Sequence, residues 1–248
     1  TLTTYPALNQ TGVSTISITF TDAKGLSDST SFVLTATEVQ DPPEIAQTIS
    51  VASGSGHHLA LKADGYVWAW GKNTSGQLGD GSNSDRLVPV RVRNISQIKS
   101  VHTGKDFSIA IHNNGTLWAW GANANGQLGI NSTTDKSRPS QLGGITNVRK
   151  ISPGTIHTLA LKEDGTVWAW GKNSFGRLGI TPGSDQLTPA QVKGEGGTGF
   201  LTNVIDIAAA DTHSMAIKND GTVWVWGSNG NGKLGIGALG DQSYPVQV

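Results

Sequence analysis

A four-residue unit, Trp-x-Trp-Gly, occurs four times in this chain: Trp68-Ala69-Trp70-Gly71, Trp118-Ala119-Trp120-Gly121, Trp168-Ala169-Trp170-Gly171 and Trp224-Val225-Trp226-Gly227. These units hold all eight tryptophans. Their first residues stand at 68, 118, 168 and 224, so the steps are 50, 50 and 56 residues. Repetition at this period means one supersecondary unit per copy, which cannot bury its apolar faces alone and must stack on its neighbours. Other positions recur in phase. A turn pair precedes each unit (Asp64-Gly65, Asn114-Gly115, Asp164-Gly165, Asp220-Gly221). A Gly-x-Leu-Gly follows it, beginning at Gly76, Gly126, Gly176 and Gly232, and a proline closes each copy at Pro89, Pro139, Pro189 and Pro245. The copies run 45–94, 95–144, 145–200 and 201–248. A Gly-rich insert, 194–200, lengthens the third and reads as a surface loop.

The third copy shows what each unit builds. Thr158 to Lys162 is a short apolar run, and Glu163-Asp164-Gly165 is a hairpin turn, because Asp-Gly accepts the backbone twist that a tight hairpin requires. Thr166 to Trp170 is a second strand. Trp168 and Trp170 share one face by the period-two rule, and Val167 and Ala169 share the other. Both faces are apolar, so the strand is expected to be covered on both sides by neighbouring sheets. Thr188 to Val192 reads as an outer strand, where proline is tolerated, and Val204 to Ala208 reads as the strand that opens the next copy. The expectation is an all-β fold of four propeller-type blades, each of about four antiparallel strands. A solenoid of small sheets is the competing architecture.

Composition narrows the function classes. Lys+Arg and Asp+Glu are both 18, giving zero net charge. Nucleic-acid binding draws most of its affinity from a basic excess, so no nucleic-acid partner is expected. The chain has no cysteine, which removes disulfides, thiolate metal sites and a cysteine nucleophile. No apolar stretch approaches membrane-spanning length, so no membrane insertion is expected. The sequence opens at Thr1 without a leader pattern and reads as a fragment or a processed form.

The repeat resembles that of the regulator of chromosome condensation family. Its signature runs apolar, two small residues, Gly, two free positions, His, small, apolar, free, apolar. Val51 to Leu61 follows it except at His58, where a small residue is usual. Ile151 to Leu161 departs at Pro153, and Ile207 to Ile217 has Ala210 in place of Gly. Val101 to Ile111 departs at His102 and carries Phe107 in place of the signature His. The resemblance covers about 45–248 and implies a propeller. Family propellers close with seven blades, so four copies imply missing blades, association between chains, or an unusually small ring.

The segment 1–44 reads differently. Val13 to Asp22 alternates, with Ile16, Ile18 and Phe20 on one face; Asp22 to Gly25 is a turn. Ser31 to Val39 is a second strand, and Asp41-Pro42-Pro43 a linker. This is similar to the closing hairpin of bacterial immunoglobulin-like or cadherin-like surface domains: a β-sandwich remnant. That resemblance implies a multidomain extracellular parent. Asp22, Asp28, Glu38 and Asp41 are carboxylates of the kind that bind Ca²⁺ at such joints, but solvated loop acids are the simpler reading.

Candidate functional residues divide into two sets. His57, His157 and His213 recur once per copy, as do Trp68, Trp70, Trp118, Trp120, Trp168, Trp170, Trp224 and Trp226. Equivalent positions in separate blades lie far apart, so these imidazoles and indoles read as packing rather than as metal ligands or a stacking platform. The second set lies in the loops after Gly-x-Leu-Gly, which occupy one equivalent stretch but differ in residue type. It comprises Asp80, Asn83, Asp85, Arg86, Thr134, Asp135, Lys136, Arg138, Ser184 and Asp185. Variable loops on a rigid scaffold are where binding resides. No catalytic set, cofactor motif or metal-ligand cluster stands out. The leading expectation is a non-enzymatic module of a secreted or surface-anchored bacterial-type protein, binding a protein or glycan. A regulatory propeller, as the family's nucleotide exchanger and its secreted β-lactamase inhibitor imply, is the alternative. Self-assembly through open blade faces or the N-terminal strands is the third reading.

Overall fold

A computed structural model describes residues 12–21, 27–36 and 47–248. The chain divides into two compact units, Thr1–Glu44 and Ile45–Val248. In the first, β1 (Gly12–Thr21) and β2 (Ser27–Ala36) form an antiparallel pair with Ile16 opposite Phe32. Pairing along the whole of β1 carries the second strand back to Ser27, four residues before the expected Ser31. The turn at 22–25, the acids at 22, 38 and 41 and the linker 41–43 lie outside the described residues.

The second unit is four sheets of four strands. Blade 1 is β3 (Thr48–Ser53), β4 (His57–Lys62), β5 (Val67–Gly71) and β6 (Arg86–Arg91). Blade 2 is β7 (Ile98–Thr103), β8 (Phe107–His112), β9 (Leu117–Gly121) and β10 (Lys136–Gln141). Blade 3 is β11 (Val148–Pro153), β12 (His157–Lys162), β13 (Val167–Gly171) and β14 (Gln186–Gln191). Blade 4 is β15 (Val204–Ala209), β16 (His213–Lys218), β17 (Val223–Gly227) and β18 (Gln242–Gln247). Strand order follows sequence order and every pairing is antiparallel, so each sheet is a meander made wholly within one copy. First strands stand side by side, β3 by β7, β7 by β11 and β11 by β15, which arranges the sheets as blades about an axis.

The outer strands begin earlier than expected. β14 starts at Gln186, with Gly171 opposite Gln186 but Ala169 opposite Ala190. The extra residues form a bulge that contains Pro189. A residue without an N–H fits where the ladder is interrupted. Pro89, Pro139 and Pro245 fall in the same irregular stretch of their blades. The insert at 194–200 is more ordered than a free loop. It forms a short 3₁₀ turn, Glu195–Gly197, closed by a bridge between Lys193 and Phe200 and packed on β18.

One core fills each junction between blades. Leu59, Leu61 and Val67 of blade 1 meet Val101, Ala110 and Trp120 of blade 2. Ile109, Ile111 and Leu117 meet Ile151, Ala160 and Trp170 at the next junction, and Leu159, Leu161 and Val167 meet Ile207, Ala216 and Trp226 at the third. Trp120, Trp170 and Trp226 are fully buried. Trp120, Trp170 and Trp226 therefore pack between blades, with Trp118, Trp168 and Trp224 partly buried against the same cores. Trp70, on the outward side of blade 1, is only partly buried and stacks at 5.5 Å on His58.

Candidate interaction surface

The strand directions send two kinds of loop to opposite ends of the blades. The Asp-Gly hairpins gather at one end. The turns between first and second strands, together with the long loops after Gly-x-Leu-Gly, gather at the other. An open cavity of about 590 Å³ lies at this second end, and all four blades line it with the same three repeat positions. The lining is Ser53 to Ser55, Thr103 to Lys105, Pro153 to Thr155 and Ala209 to Asp211. Backbone and side-chain bonds tie neighbouring turns together: Ser55 N–H donates to Lys105 O (3.0 Å), and Ala209 N–H to Ser152 Oγ (2.8 Å). Lys105 and Asp211 place a cation and an anion at the mouth, both exposed. Beside it, Lys72 pairs with Asp106 at 2.9 Å between blades 1 and 2.

The loops around this mouth share a frame. Asn73, Asn123, Asn173 and Asn229 follow the Trp-x-Trp-Gly units and are buried. Each backbone N–H donates to an aspartate twelve residues on: Asp85 (2.7 Å), Asp135 (2.8 Å), Asp185 (3.1 Å) and Asp241 (2.8 Å). The Asn123 amide donates to Ser132 O and Thr134 O, while its Oδ1 accepts the Leu128 N–H. The other asparagines repeat this pattern in part. Backbone groups that would otherwise be stranded are thus satisfied inside the loop.

The structure therefore separates the candidate loop residues. Asp85, Asp135 and Asp185 hold the frame. Asp80 is buried and pairs with Arg86 at 2.6 Å. Burial pushes its carboxyl up, but hydrogen bonds from Ser82 and then Arg86 outweigh this and hold it below the usual range. Asn83, Thr134, Arg138 and Ser184 are exposed, and Lys136 is half-buried. Sequence reasoning missed the mouth residues and the asparagines. The asparagine was marked by its constancy in all four copies, whereas the mouth residues on either side of Gly54, Gly104, Gly154 and Ala210 vary from copy to copy.

Two of the three recurring histidines, His57 and His157, lie inside the junctions. His57 Nε2 meets Ser108 Oγ of the next blade at 2.9 Å, and His157 Nε2 meets Ser214 Oγ at 3.0 Å. Those hydroxyls donate onward to the carbonyls of Gln77 and Arg177. The buried indoles of Trp120 and Trp170 donate to Gln77 O and Gln127 O at 2.8 and 2.9 Å. Burial lowers His57 to about 4, against an opposing pull from Asp106. It lowers His157 to about 3, with the charge of Arg177 adding to the effect. Both are neutral linkers. Phe107 takes this place in blade 2, and its neighbour across the junction is Thr158, whose hydroxyl donates to Gln127 O alone. Gly54, Gly104 and Gly154 sit against these rings; a Cβ on Gly104 would stand 1.9 Å from the Phe107 ring. His213 is only half-buried, and Ala210 stands where the other blades have glycine.

Comparison with known proteins agrees with this architecture. A family model of the RCC1-like domain matches residues 16–248. The ultraviolet-B receptor UVR8 of Arabidopsis thaliana is 44% identical over 43 residues, 17% of this chain and 10% of the receptor. Yeast RCC1 (Prp20), in its complex with Kap60, superimposes with a TM-score of 0.72 at 22% identity, over 88% of this chain and 51% of that one. Prp20p from Saccharomyces cerevisiae, studied with its binding to Gsp1p and histones, gives 0.71 at 24%, over 81% of this chain and 50% of that one. Human WBSCR16 gives 0.69 at 27%, over 88% of this chain and 55% of that one. The chain spans about half the length of these solved structures.

Proposed function

We propose, from the premise that this chain belongs to the RCC1-like domain family, that its blades act as a non-catalytic protein-binding module with a regulatory role. One observation carries the reading. A shared cavity and four loops that vary on a constant asparagine–aspartate frame collect at a single end of the unit. A stiff scaffold with variable, exposed loop side chains suits recognition. Zero net charge supplies no counterion-release term for nucleic acid, whereas a rim carrying both Lys105 and Asp211 suits a protein surface of mixed charge. The sequence pattern of 13–43 supports placing the module in a multidomain cell-surface protein; protease accessibility on intact cells tests that placement.

Gsp1p and histones, which the similar yeast protein binds, are the first protein probes. A photoreactive residue at Thr155, in the mouth, is compared with one at Asn113, at the hairpin end. The expected result is crosslinking from Thr155 only, lost in the double variant Lys105→Glu/Asp211→Lys. Equal crosslinking from Asn113, or binding indifferent to the double variant, overturns the assignment.

A further inference from the structure

The second residue of each Gly-x-Leu-Gly turn decides how the loop before it closes. In blades 1 and 2 it is glutamine. Gln77 Oε1 accepts the Ser75 N–H, and Gln127 Oε1 the Asn125 N–H, both at 2.9 Å. In blades 3 and 4 it is a cation, Arg177 or Lys233, which has no acceptor to offer. The loop there becomes a short 3₁₀ turn, and the residue two places earlier takes a positive φ: 63° at Phe175 and 64° at Asn231. Ser75 and Asn125 do not. Asparagine tolerates this left-handed conformation, whereas a bulky phenylalanine in it is an outlier. Strain of this kind persists only where the surroundings impose it, and it collects at functional sites.

Arg177 supplies an independent observation. It is only 3% exposed, yet among the described residues no carboxylate pairs with it. Its Nε donates to Ser174 O at 3.0 Å and its Nη1 to Asp211 O, at the mouth, at 2.9 Å. Nη2 has no partner among the described residues, and it is not sealed from solvent as the unpartnered Nδ1 atoms of His57 and His157 are. Burial disfavours the charge, and Asp211 and Asp185 offset part of that from a distance. A cation drawn out of water without a counter-charge is costly until an anion pairs with it. The Phe175 ring lies beside the guanidinium, 5.8 Å from Cζ to the ring centroid, and Phe175 is 51% exposed. This loop rests on blade 4, with Gly176 against Ser243, so both blades that flank it are described and the ends of the array do not set its exposure.

We propose that the corner formed by Phe175 and Arg177 is the docking point for an acidic segment of a protein partner, in which an apolar side chain rests on the Phe175 ring and a neighbouring carboxylate pairs with Arg177 Nη2. The inference rests on the protein-binding reading of the mouth end and names the chemistry that the mouth recognises. Arginine suits the task because its other nitrogens are already fixed by Ser174 and Asp211, so the free one is held in place before the partner arrives. A singly charged carboxylate fits better than a doubly charged phosphate, since Asp185 and Asp211 already act on the same guanidinium. An exposed aromatic beside a partly desolvated arginine is also the pairing that anchors protein interfaces.

A displayed library of random peptides, panned on the whole chain, tests the inference. The expected peptides carry Asp or Glu beside an aromatic or aliphatic residue. Fluorescence anisotropy then measures one such peptide on the parent and on two variants, Phe175→Asn and Arg177→Gln. Each variant takes the residue that another copy has at that position, Asn231 or Gln77 and Gln127, so each is expected to fold. Each should weaken binding about tenfold, the worth of one charge-assisted hydrogen bond or aromatic contact. Phe175→Asn should also raise the melting temperature by relieving the strained φ, a combination that a purely structural role does not give. Changing the peptide's acid to its amide should weaken binding to the parent equally and to Arg177→Gln no further. Peptides without an acid, affinities unchanged by both variants, or no peptide recovered would each overturn the inference. Crosslinking from Thr155 decides the broader reading separately: if it succeeds while these variants have no effect, the mouth binds protein but not through this corner.

Discussion

The buried histidines make stability depend on pH in a window that opens above that of the carboxylates. His57 and the partly buried His102 have folded values of about 4 and His157 about 3, each lowered chiefly by removal from water. In the unfolded chain each returns to about 6.5. Above that value the imidazoles are neutral in both states and contribute no pH dependence. As pH falls below it, the unfolded chain takes up protons that the folded chain refuses, and stability drops by about 1.4 kcal/mol per pH unit for each histidine. The loss runs from about pH 6.5 down to about pH 4, where His57 and His102 protonate in the fold as well. At about pH 5 each group has removed about 2 kcal/mol and the three together about 6, a large part of a typical domain's stability. The structure supplies its own control. Phe107 and Thr158 form a junction without histidine, and Gly154 leaves the same room for a ring at 157 that Gly104 leaves at 107. The double variant His157→Phe/Ser214→Thr should therefore fold and lose about a third of the pH dependence. Urea unfolding followed by tryptophan fluorescence at about pH 7.5 and 5 measures it. A variant that keeps the parent's full difference between the two pH values would show that His157 is not buried neutral, and the linkage argument would fail.

Three further outcomes follow from the junctions and loops. Trp170→Ala should cost about 3–5 kcal/mol in urea unfolding, whereas Trp70→Ala, on the open side of blade 1, should cost less than half of that. Asn123→Ala strands the Leu128 N–H and two loop carbonyls; it should cost about 2–3 kcal/mol and open the segment 129–136 to limited proteolysis. Gly104→Ala drives a Cβ into the Phe107 ring and should prevent soluble expression, while Gly143→Ala, with nothing within 4 Å, should raise the melting temperature slightly.

Local signals made the blades legible. Asp164-Gly165 fixed a hairpin through its own chemistry, and Trp168 with Trp170 announced a strand apolar on both faces. The bulge at Pro189 was hinted at by the proline but not located, because its place depends on where β14 rejoins the ladder. The His–Ser links were out of reach, since Ser108 and Ser214 become partners only when blades are laid side by side. Phe107 looked like an irregularity until Thr158 stood opposite it. The mouth was hidden for the same reason: Ser55, Lys105, Thr155 and Asp211 are far apart in the chain and converge only around the axis. Aspartates picked out as variable-loop residues proved to be the constant part of the loops.

Each sheet takes all of its strands from one copy, with no strand lent across a copy boundary. Among the described residues, nothing in the hydrogen-bonded ladder counts the blades. A genetic duplication or deletion with breakpoints in the segments 92–97, 142–147 or 193–203 would add or remove a finished sheet together with one complete junction. Every intermediate in such a history is a folded array that differs from its parent by one module. Repertoire can therefore grow by whole-copy recombination.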